Sequence, residues 1–260
     1  MKPRRALVTG AGKRLGRAMA LYLGERGFDV AVHYATSKVE ADEVVAELRQ
    51  MGVKAQAVQA DLLIEDEAAR LVGRAAQALG GPLTLLVNNA SIYEADSIED
   101  GTRFSWDRHI ESNLRAPVVL TQAFAAQAPD VETDTRGEAR ATALVINMLD
   151  QRVQKLTPKF MSYTIAKMGL WAFTQTAAQG LAPRIRVNAI GPGPTLQGVH
   201  QDRDMFTAQR AATILNRGSN LEDITAALGY FIDAHGVTGQ LLCVDGGQHL
   251  AWNTPDILTD

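Results

Sequence analysis

Ala6-Leu7-Val8-Thr9-Gly10-Ala11-Gly12-Lys13-Arg14-Leu15-Gly16 is the stretch whose reading decides the fold. Its apolar start is a short buried-strand signal that ends in a glycine turn. Ala18, Met19, Leu21, Tyr22 and Leu23 then form a helical apolar face that stops at Gly27. Strand, glycine turn and helix together make a phosphate cradle. Glycines let the backbone approach a pyrophosphate, and the free amides at the helix N-terminus bind its charge. Gly10, Gly12 and Gly16 depart from the G-x-G-x-x-G spacing, and a tight turn without a ligand is the alternative reading.

The unit repeats along the chain. Strands are expected at Phe28 to Tyr34, Val53 to Ala60, Leu83 to Val87, Ala143 to Met148, Ile185 to Ile190 and Gln240 to Val244. Helices are expected at Ser37 to Met51, Glu65 to Leu79 and Thr102 to Ala128, the last interrupted at Arg115-Ala116-Pro117. A further helix carries Tyr163 and runs to Leu181, and Leu196 to Ala234 reads as helical, its first part a lid over the site. Pro129 to Arg140, rich in Asp, Glu, Thr and Gly, reads as a surface loop. Alternating strands and helices with no linker, repeat or low-complexity tract predict one Rossmann-like α/β domain over residues 1 to 260. Its doubly wound parallel sheet has about seven strands, with helices on both faces.

Composition excludes several functions. The 260 residues are 46% hydrophobic with a net charge of −3, and no basic run exceeds Lys2 to Arg5, so nucleic acid and anionic membranes have no electrostatic partner here. The apolar segment after Arg5 stops at Thr9-Gly10, too short for a signal sequence, and no stretch approaches the ~18 residues of a membrane span. A cytoplasmic protein is expected. The one cysteine, Cys243, excludes disulfides and cysteine-metal schemes and is expected in the core; no metal site is expected.

In this fold the end of the second strand reads the adenosine ribose. His33-Tyr34-Ala35-Thr36-Ser37 holds no carboxylate there, while Lys13 and Arg14 lie in the glycine turn, which points to NADPH. Arg14 and Ser37 are the first candidates for the 2′-phosphate, with Lys13 and His33 beside them. Asp61-Leu62 is placed to meet the adenine, although Asp61 could equally cap the next helix. Asn88-Asn89-Ala90-Ser91 is a polar cluster at a strand's carboxyl end, where ligands bind in open α/β sheets. Asn113, near a proline break, suits a water or proton path, and a plain kink is the other reading. Tyr163 and Lys167 share one helix face, and an ammonium near a phenol lowers its pKa toward a usable proton donor.

Thr9-Gly10 to Gly16, Asp61, Asn88-Asn89-Ala90, Asn113, Tyr163 with Lys167, Arg186-Val187-Asn188, Pro192-Gly193 and Asp245-Gly246-Gly247 occur in this order over nearly the whole length. In this set the chain resembles the short-chain dehydrogenase/reductase family. The resemblance implies a nicotinamide cofactor, Tyr163 as proton donor, Lys167 on the ribose, Asn113 in a water-mediated relay, and a homotetramer. Leu15, Asn89, Ala90, Pro192, Gly193 and Thr195 join Gly10 and Gly16 among the implied cofactor contacts.

Two departures narrow the expectation. Where most of the family has a Ser about thirteen residues before the Tyr, this chain has Asp150, and Arg14 replaces the middle glycine of the turn. A carboxylate repels a developing oxyanion but accepts hydrogen bonds from N–H groups, so Asp150 suits a nitrogen heterocycle better than a ketone. With Asn147-Met148 before Asp150, these changes resemble the pteridine and dihydromonapterin reductases. That branch implies Tyr93 stacked on a pterin and Ser91 touching ligand or phosphate. The expected reaction is hydride transfer from NADPH to a C=N carbon, with Tyr163, paired with Asp150, supplying or relaying the proton. The alternatives are a carbonyl reductase with an altered Ser site and a catalytically retired NADP-binding regulatory protein.

Overall fold

The structure is a computed structural model that describes residues 4–198 and 201–252. Seven strands form one parallel sheet: β1 (Arg4–Val8), β2 (Phe28–Tyr34), β3 (Ala55–Gln59), β4 (Leu85–Asn88), β7 (Ala143–Met148), β8 (Ile185–Pro192) and β9 (Leu241–Val244). Their order is β3-β2-β1-β4-β7-β8-β9. The chain therefore runs outward from β1 in one direction and then returns past it, which opens a crevice beyond the carboxyl ends of β1 and β4.

Strand side chains alternate between two cores. Ala6, Val8, Val30, Val32, Leu85, Val87, Leu144 and Ile146 face helices α1 (Arg14–Glu25), α2 (Lys38–Gln50) and α8 (Leu221–Asp233). Leu7, Ala31, Leu86, Val145 and Val187 face α3 (Glu65–Leu79), α5 (Ala116–Gln127) and α6 (Met161–Leu181). Burial on both faces explains why these strands read as unbroken apolar runs.

Four expectations change. The segment Pro129 to Arg140 holds a small antiparallel pair, β5 (Glu132–Thr133) with β6 (Ala139–Arg140), because Asp134 accepts from the Arg136 and Glu138 amides at 2.8 and 2.9 Å and makes the turn. The long helix is not broken at Arg115-Ala116-Pro117. α4 (Arg103–Ile110) passes into α5 through a π-helical turn at Glu111–Arg115, upstream of Pro117, whose ring and missing N–H disturb the preceding turn. Leu196 to Ala234 is two helices, α7 (Arg203–Ala211) and α8, each started by its own side-chain cap: Asp202 accepts from the Met205 amide at 2.7 Å, and Asn220 forms a capping box with Asp223. Val199 and His200 of the expected lid lie outside the described residues, as do Met1 to Pro3. Cys243 is half-buried because β9 is the edge strand, and burial pushes its thiol up to about 11. Among the described residues no helix is long and apolar enough to cross a membrane.

Candidate active site

Three hydrogen bonds fasten the glycine turn to the end of β4. Thr9 Oγ1 accepts from the Asn89 and Ala90 amides at 2.8 and 2.9 Å, and Asn89 Nδ2 donates to the Thr9 carbonyl at 2.7 Å. Gly16 packs so tightly on this joint that a Cβ would sit 2.2 Å from the Gly10 oxygen, so only glycine fits. Arg14 occupies a left-handed backbone with φ +53°, the conformation that favours a glycine, and its guanidinium crosses to the Gln197 and Leu196 carbonyls at 2.9 and 3.2 Å.

A cleft of about 520 Å³ runs from this turn to Tyr163 and Lys167. Of the expected residues, Gly10, Lys13, Arg14, Leu15, Gly16, Ser37, Asn89, Ala90, Ser91, Tyr93, Asp150, Tyr163, Lys167, Pro192, Gly193 and Thr195 line it. A second hollow of about 610 Å³ lies between Arg5 and Arg186 at the amino ends of the strands, opposite the cleft, and shares no lining residue with it.

Several expected contacts fall elsewhere. His33 is 1% exposed and does not line the cleft. Its Nδ1 accepts from the Gly10 amide at 3.0 Å while Nε2 faces the Ala60 carbonyl at 3.1 Å, so it braces the turn from beneath with both ring nitrogens engaged. Leu62 is a core residue, and Asp61 Oδ1 accepts from the Leu63 amide at 3.0 Å, forming a turn rather than lining the cleft or capping α3. Asn113 is fully buried: its Oδ1 accepts from the Ile92 amide at 2.9 Å and its Nδ2 donates to the Ile92 carbonyl at 2.8 Å. It clamps the segment that carries Ser91 and Tyr93.

At the reacting end, Tyr163 Oη donates to Asp150 Oδ2 at 3.0 Å, while Asp150 Oδ1 accepts from the Arg152 amide at 2.8 Å. Lys167 is 2% exposed and donates to the Met148 carbonyl at 2.8 Å, with Nζ 5.7 Å from the centre of the Tyr163 ring. The expected lowering of Tyr163 by Lys167 is reversed. Burial, reinforced by Asp150, holds the phenol well above its ordinary value, and burial lowers Lys167 to about 8. Tyr163 therefore keeps its proton across the neutral range.

Sequence reasoning missed Gln151, Arg152 and Gln248, while Gln201 and Phe206 belong to the segment expected as a lid, in which no lining residue was singled out. Gln151 and Arg152 were signalled only by adjacency to Asp150, and Gln248 comes from a segment whose approach to the cleft is a property of the tertiary fold. Among the described residues that line the cleft the cations are Lys13, Arg14, Arg152 and Lys167, and Asp150 is the sole carboxylate, a balance that suits a polyanionic ligand. Among the described residues no cluster could hold a metal ion.

Similar proteins share this frame. FolM alternative dihydrofolate reductase 1 from Brucella canis, solved with NADP, is 41% identical, with 98% of this chain and 97% of that chain covered and a TM-score of 0.90. An uncharacterised oxidoreductase of Methylorubrum extorquens is 35% identical over 93% of this chain and 96% of its own length. A 3-oxoacyl-[acyl-carrier-protein] reductase of Staphylococcus epidermidis is 30% identical over 94% of this chain and 98% of its own. The family model described as short chain dehydrogenase matches residues 4–206, and the chain belongs to that family.

Proposed function

We propose that the protein is an NADPH-dependent reductase of a C=N bond in a pterin-type ring. The observation that carries this reading is the Asp150–Tyr163 hydrogen bond beside the half-exposed ring of Tyr93. The 41% identity to the FolM alternative dihydrofolate reductase 1 of Brucella canis supports it.

The cleft fits the cofactor. Gly16 permits close backbone approach, Lys13 and Arg14 supply positive charge, and the β2 end that lines the cleft, from Tyr34 to Ser37, carries no acid to repel a 2′-phosphate. Lys13 is bridged to Glu40 at 2.6 Å, so Arg14 and Ser37 carry the phosphate preference. NADPH supplies the hydride when bound. The protein's part is to hold the ring and deliver the proton. Tyr93 offers a face for stacking, and Asp150 accepts from ring N–H groups while it fixes the Tyr163 hydroxyl. Tyr163, still protonated at neutral pH, gives its proton to the ring nitrogen as the C=N bond becomes CH–NH. Lys167 holds the ribose.

A serine in place of Asp150 would donate to a carbonyl oxygen; a carboxylate accepting from Tyr163 leaves that oxygen one donor fewer. The test is NADPH oxidation by the wild-type protein with dihydrobiopterin, dihydromonapterin and dihydrofolate beside simple ketones. Turnover of the pterins alone bears the reading out. Turnover of ketones alone replaces it with carbonyl reduction, and turnover of neither replaces it with an NADP-binding regulatory role. A homotetramer in the cytoplasm completes the proposal; exposed Phe104 and Trp106 on α4 and Ile165 and Met168 on α6 are apolar surface suited to subunit contact.

A further inference from the structure

Tyr93 does not stand alone over the cleft. Its ring lies flat on Phe160, with centroids 4.2 Å apart and planes 6° from parallel. Its hydroxyl accepts a hydrogen bond from Arg152 Nη2 at 3.2 Å, and the Arg152 guanidinium carbon sits 5.1 Å from the centre of the Phe160 ring. Arg152 is tied in turn to Thr157 Oγ1 and, at 3.3 Å, to the Lys159 carbonyl. The edge-on Tyr163 ring lies 4.8 Å from Tyr93, whose residue nonetheless stays 49% exposed. One face of Tyr93 is thus backed and its hydroxyl pinned, while much of its surface is left for a ligand.

The two segments that carry this stack are also joined through their backbones. Phe160 donates its amide to the Asp96 carbonyl at 2.7 Å, and Asp96 Oδ1 accepts from the Ser162 amide at 3.2 Å. Phe160 itself has φ +59°, a left-handed conformation that bulky side chains rarely adopt. This costly backbone is held at the start of α6, where the Phe160 ring lies parallel to Tyr93.

We infer that Phe160 and Arg152 are positioning residues that hold the Tyr93 ring as a preformed stacking face, making the site selective for planar bicyclic heterocycles over flexible carbonyl compounds. The inference rests on the pterin reading for its substrate class. A ring already fixed loses no further freedom when the substrate stacks on it, so its benefit falls on binding rather than on the chemical step.

The experiment compares wild type, Phe160→Asn, Phe160→Tyr and Arg152→Met. Asparagine tolerates the left-handed backbone, so the first variant removes the ring without opposing the local conformation. Calorimetry on the NADP-loaded proteins gives the affinity for 2,4-diaminopteridine, and steady-state kinetics give KM and kcat for a dihydropterin, an aliphatic ketone and NADPH. Phe160→Asn is expected to weaken diaminopteridine about tenfold and to raise the dihydropterin KM by a similar factor, with kcat within about twofold of wild type. KM for NADPH and for the ketone stays as in wild type, Phe160→Tyr restores the affinity, and Arg152→Met shows a loss of about threefold. Unchanged affinity in Phe160→Asn and Arg152→Met, an equal loss for ketone and NADPH, or a wild type that does not bind diaminopteridine overturns the inference. A wild type that binds diaminopteridine, loses that affinity in Phe160→Asn and oxidises no NADPH with any pterin supports the stacking face and overturns only the pterin reaction.

Discussion

The Tyr163 hydroxyl donates to Asp150 Oδ2 across 3.0 Å, joining two residues 13 apart in the chain: one on α6, the other in the loop after β7. Asp150 Oδ1 is meanwhile fixed by the Arg152 amide, so the carboxylate is presented to the cleft in one orientation. An Asp150→Ser substitution keeps an oxygen able to accept from Arg152 and so preserves the turn. It is expected to lower pterin turnover by about a hundredfold or more, the scale of a lost acid–base partner, while ketone turnover stays equal or improves. NADPH oxidation with both substrate types checks it; undiminished pterin turnover would remove Asp150 from the reaction.

Lys167 sets the alkaline limit. Burial lowers its pKa from 10.5 to about 8, with Asp150 opposing the shift, so the ammonium is lost as pH rises through about 8. If that ammonium holds the ribose, KM for NADPH rises above pH 8 in the wild type. Lys167→Arg keeps its charge and should leave KM flat to higher pH. Stability moves the other way: between about 8 and 10.5 the unfolded chain binds a proton that the folded chain does not, so unfolding free energy grows with pH across that window. Parallel pH profiles for wild type and Lys167→Arg would refute the assignment.

His33 governs the acid side. Its Nδ1 must stay unprotonated to accept from Gly10, and burial lowers its pKa from 6.5 to about 4. The unfolded chain takes up this proton below 6.5 and the folded chain only near 4, so stability falls as pH drops through that window, by roughly 3 kcal/mol at most. His33→Gln retains a polar side chain without this titration. Urea denaturation at about pH 7 and about pH 4.5 should show a smaller loss for the variant, and equal losses would exclude His33 as the cause.

The same residue shows where the sequence is legible and where it is not. The glycine turn, the parallel sheet and the Tyr163–Lys167 face follow from local periodicity and spacing, and the structure places them as expected. His33 reads as a phosphate contact because it ends a strand beside the ribose region. Side-chain alternation along β2 turns it beneath the Gly10 turn instead, and linear distance from the cleft carries no information about that face. Asn113 stands out by its neighbourhood, but its pair of hydrogen bonds to Ile92 depends on a tertiary contact between residues 21 apart. The pKa of Tyr163 is illegible for a related reason. Helical spacing shows that Lys167 is near, whereas the burial and the Asp150 contact that dominate are set by packing.

Arg14 offers a test in which stability and binding separate. Its φ of +53° is a conformation that costs an L-residue about 1 kcal/mol or more relative to glycine, yet its guanidinium is held by the Leu196 and Gln197 carbonyls across the mouth of the cleft. Arg14→Gly relieves the backbone and removes the cation. Glycine also adds freedom to the unfolded chain, and two exposed hydrogen bonds to carbonyls are lost, so the net gain in stability is small, about 0.5 kcal/mol. The loss in NADPH affinity is larger, about tenfold or more, because a charge-assisted contact to phosphate is worth more than a neutral one. Chemical denaturation of the free protein and titration with NADPH and NADH measure both effects. If Arg14 reads the 2′-phosphate, NADPH binding falls while NADH binding changes little. An equal fall for both cofactors would place Arg14 on the pyrophosphate or the lid and leave the preference to Ser37.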